Sequence, residues 1–310
     1  MNVKRPVSVI TFSAVFSYGK EGGLRQMPDI RVGSIVARKS YGMDIAFRVI
    51  QIHLESRTAL LQGIDWRLMA DAPLSDLVLL GDRSPDETSI DLSKLSKTLK
   101  EHIQKSAADS PFHKEQEAQE TDARYQPYPG TVLHLDGDPR YLYTCLRAYE
   151  ALGIPAVGIH LDEREMPRRV VDLLKTYEPD VLVLTGHDAL RARAQKDDIK
   201  SYRHSKYFVE SVKRARREYE RHKDALVIFA GACQSHYEAI IAAGANFASS
   251  PSRVNIHALD PVYVVAQLAF ASVRHVLPPL EVIHETRSGE DGIGGIESRG
   301  LLRLGLSETH

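Results

Sequence analysis

The stretch Ala225–His236, A-L-V-I-F-A-G-A-C-Q-S-H, indicates how the rest of the chain folds. Its first half is a short apolar run, which is typical of a strand buried on both faces of a parallel sheet. The run ends at Gly231 and Ala232, and Cys233 follows at once. Because open α/β sheets bind their ligands at the carboxyl edge, this cysteine is expected at the functional edge of a sheet.

A second segment upstream, V-L-V-L-T-G-H at 181–187, has the same pattern of an apolar run followed by glycine, and it ends in His187. If the two strands are neighbours, His187 and Cys233 stand side by side at one edge of the sheet. An imidazole within hydrogen-bond reach is what a nucleophilic thiol needs. His236 is the alternative base, but its place on the first turn of the following helix favours a capping role.

Composition limits the classes of function. The chain has 310 residues, of which 43% are hydrophobic and 26% charged, and a formal net charge of −1. This is ordinary globular composition, and nothing global suggests a nucleic-acid or membrane partner. No apolar run approaches the length of a membrane-spanning helix. The two cysteines, Cys145 and Cys233, lack a metal-type spacing, so a reducing compartment is the simplest interpretation. Cys145 lies mid-helix among apolar residues and is predicted to be a small buried hydrophobe.

Residues 1–28 are predicted to be a disordered N-terminal extension. The basic start, Met1–Arg5, precedes a mildly apolar stretch that weakly resembles a signal peptide. Polar residues interrupt that stretch and no clear cleavage site follows. The preferred interpretation is an upstream start codon, with Met27 as the true beginning.

Short strands and close turns predict a small SH3-like β-barrel at 29–82, a type of module that usually binds or docks. Its strands are expected at Arg31–Arg38, Ile45–His53, Thr58–Gln62, Trp66–Ala70 and Asp76–Leu80. Residues 83–129 are a polar linker, and apolar side chains at helical spacing predict one amphipathic helix within it. That spacing is set by Leu92, Leu95, Leu99 and Ile103.

Residues 130–310 alternate between strand and helix, which predicts an α/β domain with a parallel sheet covered on both faces. The strands are expected at Thr131–Leu135, Pro155–Ile159, Val181–Leu184, Ala225–Phe229 and Asn246–Ser249. The helices are expected at Pro139–Leu152, Pro167–Tyr177, His204–His222, Ser235–Ala243 and Asp260–Ala271. In the tail, Val282-Ile283 has the texture of a strand, and 292–296 is rich in glycine.

The acidic turn H-L-D-G-D at 134–138 closes the first of these strands and has three interpretations. It could hold a metal through His134, Asp136 and Asp138, although no fourth ligand is in view. It could form an acidic pocket for a basic substrate. It could also simply shape a turn in which Asp138 caps the next helix before Pro139.

No cofactor is predicted, because the sequence has neither a dinucleotide-binding glycine fingerprint nor a P-loop. The basic run Lys206–Lys223 is interpreted as a solvated helix face, with nucleic-acid binding as the weaker alternative.

Several long motifs resemble the YabG family of sporulation-specific peptidases. They are V-A-R-K-S-Y-G-M-D at 36–44, V-L-H-L-D-G-D at 132–138, T-G-H-D-A at 185–189, Y-R-H-S-K at 202–206, F-A-G-A-C-Q-S-H at 229–236 and A-N-F-A-S-S-P-S-R-V-N-I-H-A-L-D-P-V-Y at 245–263. The resemblance implies a protease that trims spore coat proteins in the mother-cell cytoplasm and associates with the forming coat. It also implies that His187 and Cys233 are the catalytic positions.

A looser resemblance is to caspase-like cysteine peptidases, including clostripain. These place a catalytic His after strand three and a catalytic Cys, commonly preceded by Ala, after strand four. The pair Ala232-Cys233 fits that pattern, whereas Asp188 follows the histidine where the group usually has glycine. This resemblance implies a parallel sheet with strand order 2-1-3-4.

Together these observations predict a cysteine endopeptidase in which Cys233 attacks the scissile carbonyl and His187 transfers the proton. Backbone amides near Gly186 and Cys233 are candidates for the oxyanion hole. A strand order of 2-1-3-4 would bring Asp136 and Asp138 beside His187, which favours cleavage after Arg. Asp260 is the next candidate for the acidic wall. The alternatives are a non-enzymatic scaffold for coat assembly and an acyl-transferring hydrolase of small molecules.

Overall fold

The computed structural model describes residues 30–80, Lys97, 125–191 and 195–306. The predicted N-terminal extension and almost all of the predicted linker, including its amphipathic helix, lie outside these described residues. No helix in the described part of the chain is both long and apolar enough to cross a membrane.

Residues 35–79 form an antiparallel sheet of five strands in the order β4-β3-β2-β1-β5. The strands are β1 (Ile35–Arg38), β2 (Phe47–His53), β3 (Thr58–Gly63), β4 (Met69–Pro73) and β5 (Leu77–Leu79). Alternate apolar residues such as Val36, Val49 and Leu61 point into one small core. Each predicted strand overlaps an observed one, although the strand expected at Trp66–Ala70 begins only at Met69. Strands β4 and β5 remain unpaired edges within the described residues, so the predicted closed barrel is not confirmed.

The larger sheet has six described strands in the order β13-β11-β10-β9-β7-β8. Five are parallel: β7 (Val132–Asp136), β8 (Ala156–His160), β9 (Val181–Thr185), β10 (Val227–Ala230) and β11 (Phe247–Ser249). The sequence predicted these five strands, and the predicted neighbour order of the first four is confirmed. The antiparallel edge strand β13 (Ile293–Gly295) comes from the glycine-rich tail and was not predicted.

Helices cover both faces of this sheet. One face packs on α1 (Pro139–Leu152) and α5 (Asp260–Phe270), and the other packs on α2 (Met166–Tyr177), α3 (Ser205–Glu218) and α4 (Tyr237–Ala243). The period-two alternation of β9 explains the two layers, since Val181 and Val183 face the first core whereas Leu182 and Leu184 face the second. The predicted α/β architecture is therefore confirmed.

Two short ribbons and two short α-helices, most of them near the end of the chain, lie outside these sheets. They are β6 (Tyr125–Tyr128) with β15 (Arg303–Leu306), β12 (Val276–Leu277) with β14 (Ser298–Arg299), α6 (Pro279–Ile283) and α7 (Gly289–Gly292). The strand expected at Val282-Ile283 is wrong, because both residues belong to α6. Pro279 starts that helix with its fixed φ, and the helix buries both side chains.

Candidate active site

The candidate site lies where the carboxyl ends of β7, β9 and β10 meet. In register, Leu135 lies opposite Leu184, which in turn lies opposite Ala230, so the three strands end level with one another. The chain leaves β7 for β8 on one side, whereas β9 lies on its other side. This reversal of strand order opens a crevice in doubly wound sheets and is where they bind ligands.

His187 follows β9 by two residues and is held from two directions. Its Nε2 atom lies 2.8 Å from Asp138 Oδ2, and its backbone N–H donates to Glu163 Oε1 at 2.7 Å. Its ring meets the Tyr141 ring edge to face, with the centroids 6.0 Å apart. The imidazole is therefore oriented by a carboxylate, as a general base requires.

Asp138 has two functions at once. Its Oδ1 atom accepts the backbone N–H groups of Arg140 at 2.9 Å and Tyr141 at 3.3 Å, so the predicted helix cap is confirmed. Its Oδ2 atom accepts from the Gln62 side-chain amide and contacts His187. Burial alone would raise the pKa of this carboxyl, but the hydrogen bond and charge of His187 hold the pKa below its usual range.

Glu163, which lies between β8 and α2, occupies a slot made by two glycines. A Cβ atom at Gly137 or at Gly186 would lie 2.2 Å from Glu163 Oε1. The second carboxylate oxygen lies 3.5 Å from His204 Nδ1. Against the effect of burial, the nearby imidazole of His204 lowers the pKa of Glu163, and the carboxylate in turn raises the pKa of His204. Gly186 thus makes room for the carboxylate that fixes the backbone of His187.

Cys233 lies three residues beyond β10, in the same crevice, with its side chain buried. Its Sγ donates to the backbone carbonyl of Arg67 and accepts the backbone N–H of Ile256 at 3.3 Å. Burial raises the pKa of the thiol to about 12, so it is neutral at physiological pH. Among the hydrogen bonds of the described residues there is none between Cys233 and His187; each side chain is bonded to another group.

Asp136 binds an arginine of the N-terminal sheet. Arg67 lies between β3 and β4, and its Nη2 atom is 2.8 Å from Asp136 Oδ2, with both side chains fully buried. The same oxygen accepts from Thr185 Oγ1 at 2.8 Å. Although burial opposes the charged forms, the attraction between the two groups keeps the pKa of Asp136 well below, and that of Arg67 well above, its usual range. Arg67 therefore occupies the strand end at which the sequence predicts an acidic pocket.

The backbone around Arg67 pairs with the α/β domain as an added strand would. Arg67 N donates to Ile256 O at 2.9 Å, and Ala258 N donates to Asp65 O at 2.7 Å. Between them, Trp66 and His257 form an antiparallel bridge. Tyr141 Oη lies within hydrogen-bond distance of two carbonyl oxygens of this segment, that of Gly63 at 2.7 Å and that of Trp66 at 2.8 Å.

The third acidic candidate, Asp260, is already bonded to the protein backbone. Its carboxylate accepts the backbone N–H groups of His257 at 2.9 Å and Arg287 at 2.8 Å, and also the hydroxyl of Ser288. Burial raises the pKa of Asp260 to about 6. These contacts fix the start of α5 and the tail.

His236 caps α4, since its Nδ1 atom accepts the Ala239 N–H at 3.4 Å, as the capping alternative predicted. His134 is buried, with Nε2 2.7 Å from Thr185 Oγ1. In the described ranges, no cluster of three or more His, Cys, Asp or Glu side chains could hold a metal ion.

Several residues of the site were missed by the sequence interpretation. Asp188 accepts from His204 N at 2.7 Å, from Ser235 Oγ at 3.0 Å and from Ser205 Oγ, so it ties together the loops after β9 and β10. Glu163 and the N-terminal residues Gln62 and Arg67 were also missed. The absence of side chains at Gly137 and Gly186 makes room for Glu163, but a single sequence does not reveal that these two glycines contact that residue.

Comparison with known proteins defines the class of this protein as peptidase. Residues 31–307 match the family described as YabG peptidase U57, and the chain belongs to that family. It is 46% identical over 286 residues to the sporulation-specific protease YabG of Bacillus subtilis (strain 168). The alignment covers 89% of this chain and 97% of the relative. No solved structure gave a significant match.

Proposed function

We propose that this peptidase is a cysteine endopeptidase that cleaves after arginine, with Cys233 as the nucleophile and His187 as the base. The carrying observation is the position of Arg67: its guanidinium binds Asp136 while its carbonyl oxygen contacts Cys233 Sγ. An arginine residue thus has its side chain in the acidic pocket and its carbonyl at the thiol. A substrate cleaved after arginine requires the same arrangement.

In the proposed reaction, His187 takes the proton from Cys233, and the thiolate attacks the carbonyl carbon of the substrate arginine. Asp138 keeps the imidazole in position and stabilises its charged form. The amides of Gly186 and Cys233 are the proposed oxyanion hole. His187 then gives its proton to the leaving amine, and water hydrolyses the thioester to release the acid and restore the thiol. The proton transfer requires Cys233 and His187 to approach each other once Arg67 leaves the thiol.

Asp136 is the proposed specificity residue, because it already binds a guanidinium at 2.8 Å in a fully buried pocket. Asp138 lies beside it, but its bond to His187 favours a role in orienting the base. Asp260 contributes less in this proposal, since its oxygens are engaged by backbone amides.

The proposed biological role follows the relative that is called a sporulation-specific protease. We infer that this chain processes proteins of the spore coat in the mother-cell cytoplasm, as a protease associated with the forming coat. The proposed fold relationship is to caspase-like peptidases, supported by the strand order β8-β7-β9-β10 and by the places of His187 and Cys233 after the third and fourth of the parallel strands. The N-terminal sheet is proposed to be an SH3-like module (29–82), and 130–310 the peptidase domain.

The test is cleavage of a mixture of coat proteins, with new termini mapped by mass spectrometry. Cys233→Ala should abolish cleavage without unfolding the protein, and the new termini made by the wild type should follow arginine. Cys145→Ala is the matched control, because it removes an equally buried thiol outside the loop after β10. Normal cleavage by a folded Cys233→Ala protein would refute the assignment.

A further inference from the structure

The segment Gly63–Leu68, called here the cleft segment, links β3 to β4 and enters the candidate active site. We infer that it is a built-in inhibitor, which occupies the cleft that would receive a substrate peptide. This inference rests on the proposed function, because it takes the cleft to be the place where an arginine-containing peptide is cleaved. Its support comes from the backbone pairing, from the turn after Arg67 and from the incomplete pairing of the guanidinium.

The backbone pairing would serve any extended peptide. The hydrogen bonds of the cleft segment to Ile256 and Ala258 use main-chain atoms only, so they do not depend on the side chains of the guest. Selectivity comes from the pocket, where Asp136 binds the Arg67 guanidinium. A substrate with an arginine before its scissile bond therefore competes with the cleft segment for the same backbone edge and the same carboxylate.

The turn after Arg67 makes the cleft segment a poor substrate. Leu68 N donates to Trp66 O at 2.7 Å, and Gly63 N donates to Leu68 O at 2.7 Å. The amide nitrogen that would leave is therefore held within a tight turn, and the chain bends back instead of continuing along the cleft. Moreover, Cys233 uses its proton to bond the Arg67 carbonyl, and His187 is bonded to Asp138 rather than to the thiol.

The cleft segment is also held in a way that permits release. Two guanidinium nitrogens of Arg67, Nε and Nη1, are buried without a hydrogen-bond partner among the described residues. A buried donor without a partner costs free energy, which reduces the gain from the bond to Asp136. The covalent link of the cleft segment to β3 and β4 offsets this free-energy cost, since a tethered group competes with a free peptide at a high effective concentration.

The experiment measures how tightly a labelled peptide binds, using the full chain with Cys233→Ala so that nothing is cleaved. The probe is a fluorescein-labelled extended peptide with one arginine, followed by fluorescence anisotropy. Arg67→Ala removes the competing guanidinium. Gly63→Ala displaces the cleft segment without touching the pocket, because its Cβ atom would lie 2.3 Å from Trp66 O. Arg31→Ala, an exposed arginine of the same module, is the matched control.

Removing an internal competitor raises the fraction of binding-competent protein, so Gly63→Ala and Arg67→Ala should each lower Kd by about tenfold or more. Arg31→Ala should leave Kd unchanged, and a peptide with Gln in place of Arg should bind each of these proteins more weakly than the Arg peptide does, because it lacks the bond to Asp136. Because Arg67→Ala leaves Asp136 unpaired and could unfold the protein, Gly63→Ala decides the question in that event. Equal Kd values in all the proteins would overturn the inference.

The two proposals fail in different ways. If cleavage in the wild type depends on Cys233 but peptide binding ignores Gly63→Ala and Arg67→Ala, only the inhibitor is refuted. If a folded Cys233→Ala protein cleaves normally, the proposed catalytic mechanism is refuted, whatever the peptide affinities are.

Discussion

At the scale of single residues, Arg67 is the charged side chain of the site that depends most on its counter-charge. It is a fully buried cation with one carboxylate partner, Asp136. Removing one member of such a pair leaves the other charge uncompensated in a medium that solvates it poorly, which costs about 3–5 kcal/mol. Replacing both members together costs much less. The pair therefore links the stability of the protein to the position of the cleft segment.

Asp136→Asn should lower the free energy of unfolding by about 3–5 kcal/mol, because it leaves Arg67 buried without its counter-charge. Urea unfolding measures this directly. The double variant Asp136→Asn with Arg67→Ala should recover most of the loss, since no unpaired cation remains. Glu218→Gln, which breaks a surface pair with Arg214, is the control and should change little. A loss no larger than the control's would contradict this account of the pair.

Asp138→Asn separates the two functions considered for that residue. Asparagine keeps the helix cap, so the fold should persist. It loses the charge that orients His187, so kcat on an arginine peptide should fall by at least about tenfold, with KM nearly unchanged. Steady-state kinetics and thermal unfolding test this. If KM rises while kcat is retained, Asp138 belongs to the specificity pocket instead of orienting the base.

At the scale of elements, periodicity predicted most of the α/β domain because its signals are local. Apolar runs followed by glycine gave the parallel strands, and α1 was predicted with its observed bounds because Asp138 and Gly153 mark its two ends. The predicted end of α3 at His222 is wrong. Glu220 N reaches back to Ala215 O, a C-terminal motif that ends the helix at Glu218.

The candidate site was predicted only in part, for a physical reason. The positions of His187, Cys233 and Asp136 follow from strand ends within one sheet. Gln62 and Arg67, in contrast, come from another module, and no pattern in a single sequence reports how two modules dock. The antiparallel strand β13 was missed because three residues rich in glycine carry little strand signal.

The two-glycine slot around Glu163 gives a prediction about the loops of the sheet. Gly186→Ala should push the carboxylate away, since the new Cβ atom would lie 2.2 Å from Glu163 Oε1. His187 N would lose its acceptor, so we expect lower kcat and a stability loss of about 1–3 kcal/mol. Thermal unfolding and peptide cleavage measure both effects. In a Glu163→Ala background, Gly186→Ala should add almost nothing; an undiminished cost there would show that the slot is not the cause.

At the scale of the whole molecule, both thiols are protected while the modules stay docked. Cys145 and Cys233 are buried, and burial raises the pKa of each to about 12. The thiolate is the reactive form, so iodoacetamide at pH 8 should label both far more slowly than a free thiol. Gly63→Ala should accelerate labelling of Cys233 but not of Cys145, as read by peptide mass spectrometry. Labelling of wild-type Cys233 at the free-thiol rate would contradict a closed cleft.

The distance along the chain between contacting groups affects the order in which parts of the protein fold. Cys233 meets the carbonyl of a residue 166 positions earlier, and β15 near the chain end pairs with β6. Contacts so distant in sequence form slowly. At 5–20 residues per second, synthesis of 310 residues takes roughly 15–60 s, and the N-terminal sheet emerges first. The segment that carries Arg67 is therefore synthesised before β9 and β10. We expect Arg67 to bind Asp136 as soon as the larger sheet forms, so that a newly made molecule does not cleave the proteins around it at the ribosome.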